Sequence, residues 1–119
     1  MKRANFIYIE DEGVDLILSF ALEDETLAVR SLILMRTPKF ESLMPDKERG
    51  VRVSLEGQTT DEEDDMLIRA ALSFENIEIT TQSAIYTIDL SKVDDEALRC
   101  VYPFLQKMNF DKKFAISNS

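Results

Sequence analysis

A chain of 119 residues, 45% of them hydrophobic and 31% charged, has room for one domain (1–119), and three glycines and three prolines are too few for linkers. With no histidine and one cysteine, Cys100, it lacks the means for an internal disulfide, a zinc or haem site, or a Cys–His nucleophile, so no cofactor is expected. A net charge of −9 repels phosphate backbones and anionic lipid heads, so neither nucleic acid nor a membrane is an expected partner.

The chain opens with a short β-rich run, Phe6 to Ile9, that stops at Glu10-Asp11-Glu12. That is too early for the core of a secretion signal, and no stretch approaches the ~20 apolar residues of a membrane span. A cytoplasmic protein is the expectation. Val14, Leu16, Leu18, Phe20 and Leu22 then alternate with Asp15, Ser19 and Ala21, the pattern of a half-buried strand. Glu23 to Thr26 is a polar turn, and Leu27–Arg36 pairs back as the second arm of a hairpin. This second arm is apolar on both faces: Leu27, Val29, Ile33 and Met35 on one, Leu32 and Leu34 beside Arg30 and Arg36 on the other.

Between Pro38 and Pro45, residues 39–44 form an edge strand or a folded loop, because proline donates no ladder bond. Val51 to Leu55 alternates after the turn signal Glu48-Arg49-Gly50. Residues 60–74 carry two signals. Thr60 with Glu63 fits a helical capping box, whereas Met66, Ile68, Ala70 and Leu72 alternate; the short run and its β-rich neighbours favour a strand. Ile77–Thr81 and Ala84–Leu90 flank Gln82-Ser83 as a second hairpin.

After Ser91 the period changes. Leu98, Val101, Tyr102, Leu105 and Met108 recur at helical spacing, with Ala97, Cys100 and Phe104 widening the stripe. Ser91 or Asp94 caps this helix, Asp95 and Glu96 suit its positive end, and Asn109 is expected to end it in a left-handed conformation. Phe114 to Ile116 is expected either to add a last edge strand or simply to pack its Phe and fray. The whole reads as an α+β fold: a mostly antiparallel sheet, or a partly open barrel, of six to eight short strands closed by one C-terminal α-helix. In element order alone this resembles the pleckstrin-homology-like superfold. The lipid sites of that superfold use basic residues near the first two strands. Here Glu10-Asp11-Glu12 occupies the corresponding turn, so the resemblance implies no lipid site.

No phosphate-cradling loop or nucleophile elbow occurs, and the chain is not expected to be an enzyme. Cys100, inside the helical stripe, reads as a small core residue. Asp61 to Asp65 is the densest acidic cluster, but it lacks the alternating ligands and the glycine of a calcium loop, so it reads as a solvated loop. Between Thr26 and Leu55 the charge reverses, and basic residues outnumber acidic ones. Arg30, Arg36 and Arg52 are therefore the candidate contacts for an anion or an acidic partner, unless they pair internally with the surplus acids.

Two functions follow from these features. A strand that is apolar on both faces needs cover on both, so a protein-interaction or assembly module, such as a homodimer, is expected. The alternative is a small-molecule anion-binding protein or enzyme using the Arg-rich region of residues 30–52.

Overall fold

The computed structural model describes residues 2–118 apart from Glu12, Glu25, Leu27 and residues 57–64, together with all side chains of that set except Lys47. Its elements are β1 (Lys2–Glu10), β2 (Leu16–Glu23), β3 (Val29–Arg36), β4 (Arg52–Leu55), β5 (Asp65–Leu72), β6 (Asn76–Thr81), β7 (Ile85–Asp89), α1 (Asp95–Met108) and β8 (Ala115–Asn118). Residues 38–43 and 46–48 form two 3₁₀ turns, so the segment between the prolines is folded rather than an edge strand.

Strands β1 to β7 pair in chain order, each antiparallel to the next. The pairing then returns from β7 to β1 through Lys2↔Ile88 and Arg3↔Asp89. An up-and-down run of seven strands leaves its first and last strands pointing the same way, and this junction is accordingly parallel. β8 enters after α1 and also lies parallel to its neighbour, β5. The sheet is therefore mixed. Period-two patterning shows which residues are strand; it carries no information on the direction of the closing pairs.

Alternation sets the inner face. Leu18, Phe20 and Leu22 of β2, Leu32 and Leu34 of β3, Val53 and Leu55 of β4, and Ile77 and Ile79 of β6 all belong to one buried cluster. Residues 65–72 are strand, as the β-rich context favours. A bulge between Leu67 and Arg69 shifts the register by one residue there. Met66, Leu67 and Ala70 are consequently all buried, while Ile68, which the alternation puts on the face of Met66 and Ala70, is exposed.

The helix buries Val101, Phe104, Leu105 and Met108 into the same cluster, and Leu98 packs against it half-buried. Asp94 caps it: its carboxylate accepts from the Ala97 N–H at 2.8 Å. Two expectations for the helix need correction. Cys100 is exposed on the flank of the stripe, where its thiol donates to the Glu96 carbonyl oxygen at 3.4 Å. Asn109 ends the helix with φ −103° rather than a left-handed turn. Its side-chain amide instead bonds both the oxygen (2.8 Å) and the nitrogen (3.1 Å) of Phe114, and Lys112 takes the positive φ of 58°. This clasp turns the chain from α1 into β8.

Because Leu105 is fully buried and Leu98 only half so, Leu105→Ala is expected to cost about 2–5 kcal/mol and Leu98→Ala distinctly less, as read by urea unfolding. Equal losses at the two sites would place the helix on the sheet in a different rotation.

Candidate functional site

Of the three arginines singled out by the sequence, Arg36 lies inside the molecule. It is the last residue of β3 and its side chain is wholly buried. A buried guanidinium is stable only if its charge and all five N–H donors find partners. Here they do. Nε and Nη2 donate to the two oxygens of Glu41 at 2.7 and 2.8 Å. Nη1 and Nη2 donate to the two oxygens of Asp111 at 2.9 and 2.7 Å. The remaining N–H of Nη1 donates to the Met108 carbonyl at 2.7 Å. The ring of Phe110 stacks on the group, its centroid 4.1 Å from the guanidinium carbon.

Burial by itself lowers the tendency of Arg36 to hold its proton, but the hydrogen bonds it donates to Asp111 and Glu41 outweigh it, so the group stays charged. The same bonds hold Glu41 and Asp111 below the usual carboxylate range. Glu41 gains a further donor, the Gly50 N–H at 3.2 Å. With every donor used, Arg36 is an internal tie and not an open anion clamp.

The structure does not bring the other two arginines to it. Arg30 is exposed at the opposite end of β3, six residues along the same strand. Arg52 pairs with Met35 in register, and Met35 lies on the outer face, away from Arg36. The acids that Arg36 selects were not separable by sequence from the many others. Asp111 is seventy-five positions away, and only the fold makes it a neighbour.

The outer face of β1 to β4 is the second feature. In register, its outward rows are Phe6–Ala21–Ser31, then Tyr8–Ser19–Ile33–Ser54, then Glu10–Ile17–Met35–Arg52. Phe6 is 61% exposed and Tyr8 52%. On the outward side of β5 to β7, Arg69 opposes Thr80 and Glu78 opposes Thr87, with Ile68 and Ile85 exposed among them. The outward rows of β1 to β4 are thus the more apolar part of the sheet. The sequence shows this in the double-sided apolar character of β3, but Phe6 and Tyr8 join it only through the β1–β2 register. Leu34, the other apolar side of β3, is core.

A shallow cleft forms the third feature, between the β1–β2 loop, the first 3₁₀ turn and the end of α1. Val14, Leu16, Pro38 and Phe110 line it, with Lys39 and Lys107 beside them. Among the described residues, no three acids or thiols gather as a metal site, and no helix is long and apolar enough to cross a membrane. The acidic cluster lies outside the described residues except for Asp65, which accepts from the hydroxyls of Thr81 (2.7 Å) and Ser83 (2.6 Å). Comparison with protein-family models, with curated proteins and with solved structures gives no match.

Removing Arg36 leaves two carboxylates without their buried counter-charge, so Arg36→Met is expected to lose roughly 3–5 kcal/mol in urea unfolding. The native protein should also weaken in acid. Depressed carboxylates stabilise the fold above their ordinary values, 4.5 for Glu41 and 3.8 for Asp111, and that contribution disappears as the pH falls through their folded values. Unfolding midpoints recorded from pH 6 downward should decline below about pH 4.5, and less steeply in Arg36→Met.

Proposed function

We propose that this protein is a non-enzymatic interaction module that docks on another protein chain, most simply a second copy of itself, through the outer face of β1 to β4. The observation behind this is the contrast across a single sheet. Where β5 to β7 face outward, Arg69, Glu78, Thr80 and Thr87 surround the exposed Ile68 and Ile85; where β1 to β3 face outward, Phe6, Tyr8, Ile17, Ile33 and Met35 prevail. Contiguous apolar surface of this kind favours a protein partner.

Self-association also has a charge argument. β1 carries Arg3 at one end of its outward row and Glu10 at the other. A two-fold axis that lays β1 across its copy in the opposite sense brings Arg3 of one chain over Glu10 of the second. Isologous pairing is the commonest symmetry of homo-oligomers. The surplus of acid makes nucleic acid and membrane surfaces poor alternatives, and a cytoplasmic setting accords with the exposed thiol of Cys100.

We read the sheet itself as a partly open barrel. Its two seams, β1–β7 and β4–β5, are short, of two residue pairs each. In that reading the inner apolar side is covered by the strands and α1, and only the outer side needs a partner.

Light scattering tests the proposal. The native chain should run with the mass of a dimer at high micromolar concentration, its interface burying upwards of about 1,000 Å² in total. Phe6→Glu combined with Ile33→Glu should yield a folded monomer with an unchanged circular dichroism spectrum. A native chain that is monomeric at that concentration overturns self-association, and so does a double variant that keeps the native mass.

A further inference from the structure

The cleft beside the end of α1 carries a separate inference, independent of what happens on the outer face. It is a shallow, open cleft with a volume of about 500 Å³. Its walls are tied together and not merely adjacent. The Thr37 hydroxyl donates to Asp15 at 2.6 Å, joining the first 3₁₀ turn to the β1–β2 loop. Lys107 pairs with Asp11, joining α1 to that same loop. Phe110, the wall that follows the helix, is set by its stacking on Arg36. Pre-set walls of this kind lower the ordering cost of binding.

The lining is mostly apolar, and Phe110 remains 59% exposed within this braced frame. The polar groups at its edge are two ammoniums. Lys107 already has Asp11, whereas Lys39 has no carboxylate within salt-bridge distance among the described residues, and its ammonium lies 6.0 Å from the centre of the Phe40 ring. Several surface cations of this acidic protein have no salt-bridge partner among the described residues; what distinguishes Lys39 is that it stands, with Lys107, at the edge of an apolar cleft. Apolar walls need apolar atoms to cover them, and Lys39 needs an anion. One ligand class supplies both.

We propose that this cleft binds a small apolar carboxylate, its hydrocarbon body against Val14, Leu16, Pro38 and Phe110 and its carboxylate on the ammonium of Lys39. Lys107, which keeps donors beyond the one given to Asp11, adds a second positive charge near the same end of the ligand.

Sodium octanoate titrated into the full chain, followed by ¹H–¹⁵N correlation spectra, tests this. Saturable shifts should be confined to the amides around the cleft, those of Gly13, Val14, Lys39 and Phe110. The uncharged analogue 1-octanol should bind more weakly. Lys39→Gln, an exposed substitution that spares the fold, should weaken octanoate about tenfold, the loss of one charge-assisted bond, and abolish its advantage over octanol. Val14→Asp should abolish both. The proposal is overturned if octanoate moves no amide of the cleft, or moves those of Tyr8 and Ile33 instead. It is equally overturned if Lys39→Gln binds octanoate as tightly as the native chain.

Discussion

Taking one guanidinium out of water at the end of β3 constrains more of this molecule than any other single contact. An isolated buried charge is too costly to keep, so the two carboxylates and the carbonyl around Arg36 are requirements of the fold. Each partner comes from a different segment. Glu41 brings the first 3₁₀ turn, and through the Gly50 N–H it brings the approach to β4. Asp111 brings the chain that follows the helix, and Met108 brings the helix itself. Met108 presents one of the last four carbonyls of α1, which have no partner within the helix. Arg36 therefore serves as a C-terminal cap supplied from seventy-two residues away.

The same tie shapes the surface around it. Phe110 is stacked where it can wall the cleft, and the 3₁₀ turn that carries Glu41 also carries Pro38 and Lys39. Gly50 stands with φ +127°, a backbone conformation in which a side chain would be strained. The outer face of β1 to β4 lies on the far side of the strands from this network. The proposed protein-docking face and the proposed ligand cleft are therefore separate surfaces.

Much of the fold was legible because most of its strands are half-buried and alternate cleanly, and because the helix announces itself by a change of period after Ser91. The run Met66–Leu72 was ambiguous because the capping-box pattern of Thr60 and Glu63 competed with its own alternation, and the bulge that puts Ile68 out of step with Met66 and Ala70 leaves no mark in that alternation. The closing of β7 on β1 was not legible, because two residue pairs leave no pattern. Arg36 was legible as an unusual cation in an apolar strand, but its role was not. Whether an arginine among apolar neighbours points to a ligand or to internal acids depends on contacts across seventy residues. The outer apolar face was half visible, in Ile33 and Met35, and incomplete without the register that sets Phe6 and Tyr8 beside them.

Coupling between β3 and the segment after α1 is the claim on which the rest stands, and a double-mutant cycle between Arg36→Met and Asp111→Asn measures it directly. Urea unfolding of the four proteins should show the two losses overlapping, with a coupling of roughly 1–3 kcal/mol, as for residues sharing one hydrogen-bonded network. Losses that simply add would mean that Arg36 and Asp111 do not act together, and the account would fail at its central contact.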